Sequence, residues 1–513
     1  MKCSKIANGI NMLLLKGAIC LQAAELPNNQ QGGGGNYTPP QIVEAKEPEE
    51  AKQQDAVAVA QPPAPFSMHS YLSQFTGGIN GKNQAGETPL IKAIKENNVV
   101  AFRKLLQAGA DPLVAANYGV TPIMQAMKVG NIIFYNHLKG KGAKISDITP
   151  NGFTSLMMAA RGGNMTIFEE VLNQEENYLH RRTPEGWSAL MFAVEGGHGE
   201  IVEKLIEAGL SKDDVAPGGD GGSVIFLALE NPNRLNALRA LLRKNALVNV
   251  TKQGGWTPLQ WSVLFGTSTM LAELIKAGAN LNAHNNTGDT ALTLAADKGK
   301  MDFLNVLIAK GADVDWPKQD GTTAVFFAAQ NGYADILQML IEKGADVNKA
   351  KLDGTTPLMI AKQKECVAKL LQAGAIVDEP APDGWTALIS AGFDGNMEKI
   401  DLLLEAGANV NAQRNDGYTA LLFASDKGRT EAVQRLLGVP GIDVNAKRTS
   451  GETALFMAAQ NGHYQIVKEL VEAGASLTAV RYSDNLTPLD IARIMGQEEI
   501  VKYLEEQGNL ATN

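Results

Sequence analysis

Histidine and cysteine are the residues best suited to metal or nucleophilic chemistry, and their spacing in this chain supports neither. His69, His137, His180, His198, His284 and His463 are scattered, no His-Glu-x-x-His occurs, and Cys3, Cys20 and Cys366 form no pair at metal-ligand spacing. No metal and no cofactor is therefore expected. Cys3 and Cys20 lie in an amino-terminal segment with the shape of a cleavable signal, so no disulfide framework is expected, and Cys366, just ahead of Val367, Leu370 and Leu371, reads as a packing residue. Gly140-Lys141-Gly142-Ala143-Lys144 imitates a phosphate loop in composition but lacks the glycine spacing and the Lys-Ser/Thr ending that such a loop needs. Glu169-Glu170 and Glu175-Glu176 read as a solvated helix end. The Asn-x-Thr triplets at Asn36, Asn164, Asn249, Asn285 and Asn485 permit glycosylation, yet most coincide with turns and receive no role. Without a catalytic constellation, the chain is not expected to be an enzyme.

A different chemistry is better represented. Phe153, Trp187, Trp256, Trp385 and Tyr418 each stand directly after a glycine. Large amphipathic rings bury much area with few rotatable bonds, which makes them anchors for a protein partner. The same rings could instead pack on a neighbouring turn and stiffen it, so interface and packing both stand as readings. Phe265 and Phe393, expected to follow a helix, would project onto the same side.

The glycines belong to a signature returning roughly every 33 residues, from Gly86-Glu87-Thr88-Pro89-Leu90 to Leu486-Thr487-Pro488-Leu489. A fixed period of this length means stacked supersecondary units. In the stretch from Asn285 to Trp316, Gly288 suits a turn with positive φ and Thr290 a helix N-cap. Several other units carry Pro after that Thr, as in Thr257-Pro258, where a missing N–H costs nothing. Leu292, Leu294, Ala295 and Ala296 predict a first helix ended by Gly299. Phe303, Leu304, Val306, Leu307 and Ile308 predict a second, with a band wide enough to be sandwiched between neighbours and Gly311 as its stop.

The pattern resembles the ankyrin repeat, on the evidence of Gly-x-Thr-Pro-Leu, the Ala pair and turns such as Gly344-Ala345-Asp346-Val347-Asn348 and Gly407-Ala408-Asn409-Val410-Asn411-Ala412. The resemblance implies an all-α solenoid of about thirteen helix-turn-helix units with short hairpin-like turns, over residues 67–513. It also implies a non-catalytic module that binds protein along a concave face, where the aromatic column would sit. Arg161, Asp297, Gln330, Asn331, Asp426, Gln460 and Asn461 would form a polar rim. The family's His after Thr-Pro-Leu is absent throughout, with Gln260, Thr293, Met359 or Asp490 among its replacements. Four units depart further. One ends near Arg182 without the Gly-Ala-Asp turn, one opens on the glycine run Pro217 to Gly222, expected to be the softest joint, one near Lys362 to Cys366 is short by about three residues, so its first helix or inter-helix turn must be abbreviated, and one carries an extra residue in Gly438-Val439-Pro440-Gly441-Ile442.

A net charge of −9 with no basic stripe speaks against nucleic acid as a partner. Residues 1–24 combine Lys2 and Lys5 with the apolar runs Met12 to Leu15 and Ala18 to Leu21, the shape of a secretory signal, although Lys16 interrupts it; a fortuitous apolar tail is the competing reading. Residues 25–66, rich in Gln, Gly, Pro and Glu, are expected to form a disordered linker. No run is long and apolar enough to span a bilayer. The expectation is an extracytoplasmic, monomeric scaffold or adaptor with protein partners. A cytoplasmic location is the alternative, as is a regulator of one enzyme, acting as inhibitor, targeting subunit or exported effector.

Overall fold

The computed structural model describes residues 66–174, 176–217 and 219–512. The expected signal and linker, Phe66 aside, lie outside the described residues. The chain is all-α, with twenty-seven α-helices among the described residues and no extended strand, only isolated bridges such as Ile148↔Thr154 and Arg182↔Ser188. It divides into two compact units. The first holds the described residues up to Ala126 together with Ile133–Ala143; the second holds Met127–Ile132 and Lys144 onward.

In the first unit, Ser67 caps the short helix Met68–Leu72. Tyr71 packs against Phe66 and Phe75 at centroid distances of 5.2 and 6.1 Å, and its hydroxyl donates to Glu96 at 3.2 Å. The core beneath joins the helices Pro89–Lys95 and Val99–Gln107, with the Phe102 ring tilted against that of Phe134 at a centroid distance of 4.7 Å.

The second unit repeats one helical pair. A Thr or Ser hydroxyl accepts from the third helical N–H at nearly every first helix, as Thr290 does for Thr293 in Ala291–Asp297 and Thr386 does for Ile389 in Ala387–Asp394. Where Gln260, Thr293 and Asp490 replace the family's His, their side chains reach back to the N-cap residue and complete a reciprocal box. Elsewhere an apolar residue fills the place: Met359 still accepts the Thr356 N–H through its sulfur at 3.5 Å, Ser223 makes no side-chain cap bond, and at the others the hydroxyl works alone.

Burial is distributed differently from the expectation. The first helices are enclosed on nearly all sides, Ala291 through Ala296 being buried without exception. The second helices keep one buried stripe, Phe303, Leu304 and Leu307 in Met301–Ala309, with Val306 and Ile308 partly exposed. The first helix is flanked by neighbours and by its own partner, whereas the second meets solvent on its remaining face. The wide apolar band therefore belongs structurally to the first helix, whose small Ala residues permit the close approach.

Three polar ladders tie successive repeats. The side-chain oxygens of Asn249, Asn282, Asp315, Asn348 and Asn411 accept backbone N–H bonds of 2.8 to 3.0 Å from the following repeat. The hairpin tips chain together, Leu352 N–H to the Asp320 carbonyl at 2.8 Å and Thr449 N–H to that of Asp416 at 2.9 Å. The turn between paired helices is covered by the residue opening the next repeat's second helix. The His198 ring lies over Gly163, where a Cβ would meet its Cε1 at 2.1 Å, while His198 Nε2 bonds the Arg161 carbonyl at 2.9 Å.

The irregular repeats have physical resolutions. The segment before Arg182 replaces its turn by the 3-10 helix Glu176–Tyr178. The short repeat has a first helix of only four residues, Pro357–Ile360. The glycine run is tied at its base, where the Ala216 N–H donates to the Gly222 carbonyl at 2.8 Å.

Candidate functional site

Each ring of the column leaves the last bonded residue of a closed turn, one position before a helix N-cap. The Thr183 N–H donates to the Trp187 carbonyl at 2.9 Å and the Trp187 N–H returns to the Thr183 hydroxyl at 3.2 Å. Thr149 and Phe153 repeat this at 2.9 and 3.0 Å. The equivalent N–H to carbonyl bonds are 3.0 Å for Lys252 to Trp256, 2.9 Å for Ala381 to Trp385 and 2.8 Å for Arg414 to Tyr418. A short bonded turn fixes Cα, so each ring is held in register with the first helix that follows.

The rings do not form one continuous column. They gather in three groups, each organised by an aromatic residue of a first helix. Phe192 is 5.8 Å from Phe153 and 5.2 Å from Trp187, with the Arg161 guanidinium 5.9 Å from its centroid. Trp261 is 6.2 Å from Trp256, 6.1 Å from Phe226 and 4.5 Å from Phe265, and the Lys252 ammonium lies 3.4 Å from its centroid. Phe423 stacks on Tyr418 at 4.0 Å and lies 5.1 Å from Trp385 and 5.6 Å from Phe393. The Arg414 guanidinium sits 5.4 Å from Trp385, and that of Arg448 sits 4.4 Å from Tyr418.

Phe192, Trp261 and Phe423 were not among the residues expected from sequence. A signal for them exists: Trp187 and Phe192, Trp256 and Trp261, and Tyr418 and Phe423 share one spacing, the second ring coming five residues after the first. Phe265 and Phe393 also need correction. They do not follow a helix but lie in the last turns of Pro258–Phe265 and Ala387–Asp394, because the chain stays helical until Gly266 and Gly395 cap it. They are the most open rings of the predicted set, 39% and 37% exposed, while the other five are half-buried.

Charge accompanies each group. Lys252 bonds Asp220 at 2.8 Å and Arg414 bonds Asp416 through Nε at 3.1 Å and Nη2 at 2.8 Å. Burial alone would raise the Asp220 carboxyl, but hydrogen bonds from Lys252 and the Gly222 N–H outweigh it and hold the group below the ordinary carboxylate range. Burial pushes the Tyr418 phenol up, against the opposing pull of Arg448. Trp261 Nε1 and Arg448 Nε are sheltered from solvent and make no hydrogen bond among the described residues.

The predicted rim is partly spent on internal links. Arg161 pairs with Glu195 at 3.0 Å, Asn331 Nδ2 donates to the Asp297 carbonyl at 3.1 Å, and Asn461 does the same to Asp426 at 3.1 Å. Gln330 is exposed and Gln460 half-buried. Cys366 is buried and its thiol is raised, chiefly by that burial, as suits a packing residue. Among the described residues no three or more His, Cys, Asp or Glu side chains gather where a metal could be held, and no helix is long and apolar enough to cross a membrane. The arrangement presents ring edges, cations and paired carboxylates from a fixed backbone, which is the chemistry of recognition.

A family model described as Ankyrin repeats (3 copies) matches residues 123–216, 225–317, 295–381, 362–448 and 440–512, and one described as Ankyrin repeat matches residues 85–117. No curated protein matches the chain.

Proposed function

The chain belongs to the ankyrin repeat family, and on that premise we propose that it is a scaffold or adaptor whose partner docks on the hairpin and first-helix surface. Members of the family are generally protein–protein interaction modules, typically without enzymatic activity. What supports the finer reading is one observation, the gathering of the turn rings into three cation-roofed groups on a single series of hairpins and first helices. Interface hot spots are enriched in Trp, Tyr and Arg, and a preorganised surface loses little entropy on binding. Within the three groups Phe265 and Phe393 are the most exposed rings.

Replacing Trp187, Trp256 and Trp385 together by Ala tests the reading by quantitative capture from the native lysate. Loss of the partner with the helical circular dichroism intact is the expected result. A variant that unfolds, or one that captures as well as the parent, assigns the rings to packing. Our placement of the chain outside the cytoplasm rests on the pattern in residues 1–24 and is tested by sequencing the mature amino terminus; an intact Met1 would remove it.

A further inference from the structure

The third residue of the second helix is a buried packing position throughout this array, occupied by Ile201, Phe303, Ile336, Cys366, Ala432 and Ile466, all at most 8% exposed. In the helix Met397–Glu405 the same position is Lys399, which is 1% exposed. Its partner is unusual for a reason that lies one repeat earlier. Pro357–Ile360 stops a turn early, and its cap residue Ala361 is already extended at φ −60°, ψ 126°. A helix that ends so soon leaves carbonyls without intrahelical donors. The Met359 carbonyl is served from the next repeat instead, by Lys399 Nζ at 2.7 Å and the Ser390 hydroxyl at 3.0 Å. Asn396 Nδ2 reaches the Lys362 carbonyl at 2.6 Å beside them.

We propose that the Lys399 contact to the Met359 carbonyl is a proton-operated latch across the joint between Pro357–Ile360 and Ala387–Asp394. The amine fills a place that the other repeats named above give to an apolar or sulfhydryl side chain, and as an uncharged donor it satisfies the orphaned carbonyl without a buried charge. As an ammonium it must hold a full charge in an apolar seam on one hydrogen bond to a carbonyl. The charged groups around it do little to help. Asp394 is engaged with Lys362 at 3.3 Å. The packed helix Lys364–Gln372 carries Glu365, Lys369 and the Cys366 thiol; its own helix carries Glu398, Asp401 and Glu405, with Asp401 taken by Arg435 of the following second helix at 2.6 Å.

Burial brings the Lys399 ammonium down from 10.5 to about 7, with Asp394 opposing the fall and Lys362 adding to it. An opened joint restores the solvated value, so between these limits the open form binds more protons than the closed one. Closure therefore strengthens as pH rises from about 7 toward 10.5 and is weakest, and level, below about 7. If the partner docks as proposed above, the face it meets across this joint would differ between mildly acidic and alkaline solution.

Hydrogen exchange of the full chain, with protection corrected for the intrinsic rate at each pH, tests the latch without any partner. In the parent protein, protection of peptides from Pro357–Ile360 and Ala387–Asp394 should fall roughly tenfold per pH unit from pH 9 toward 7.5 and level off below about 7, while Ala454–Gln460 stays constant. Lys399→Met should make the protection high and independent of pH, and Lys399→Arg, charged throughout, low and independent of pH. A parent protein with no pH slope at this joint, or a slope surviving in either variant, overturns the proposal.

Discussion

At the scale of single residues the three ring groups divide labour between a buried organiser and more open neighbours. Phe423 is 6% exposed and touches Trp385, Phe393 and Tyr418, so it acts as their common floor. Phe423→Ala should cost about 3 kcal/mol of stability, because it deletes a buried ring from a packed site. Phe393→Ala, at an edge already 37% exposed, should cost about 1 kcal/mol or less while still weakening partner capture. Urea unfolding of the two variants beside the parent checks the contrast, and equal losses would dissolve the distinction. Half of this arrangement was legible in sequence. Trp187, Trp256, Trp385 and Tyr418 announce themselves by following a turn glycine, a local signal. Their floors show only a weaker signal, the shared spacing of five residues, because Phe192, Trp261 and Phe423 sit in largely apolar helices that read as generic core. Lys399 was hidden, because only the truncated helix one repeat earlier explains what a lysine does there.

At the scale of elements, helix starts and stops were readable because each depends on a few adjacent residues, a Thr cap before and a glycine after. Length was readable too: the deficit near Lys362 appears as the four-residue helix Pro357–Ile360. The softness expected at the glycine run depends on more than its glycines. A glycine run raises the entropy of a turn, but the outcome depends on partners distant in sequence, and here Asp220 accepts from the Gly222 N–H at 3.0 Å and from Lys252 at 2.8 Å while its carbonyl takes the Gln253 N–H at 2.6 Å. Asp220→Ala should release this turn by about 1 to 2 kcal/mol, the loss of charge-assisted hydrogen bonds at a partly buried site. Limited proteolysis with a broad-specificity protease should then cut between Gly219 and Gly222 roughly tenfold faster than in the parent. Equal cutting rates would mean that the glycines alone govern the turn.

At the scale of the whole molecule, the family follows from periodicity, since no single repeat could bury its own apolar faces and successive ones must share them. What periodicity cannot specify is the ligand, because the scaffold is common and the displayed side chains are not. The central claim is that the hairpin and first-helix surface, with its ring groups, is where the partner binds. The most direct test is quantitative capture by the full chain carrying Phe265→Ser with Phe393→Ser, beside a control carrying Leu247→Ser with Ile376→Ser. The control pair is more exposed, at 56% and 52%, and lies outside the three ring groups. The account predicts that the Phe265 and Phe393 variant loses its partner at least tenfold, about 1.4 kcal/mol, with unchanged circular dichroism, while the control binds like the parent. Full binding by the first variant, with loss confined to the control, would contradict it.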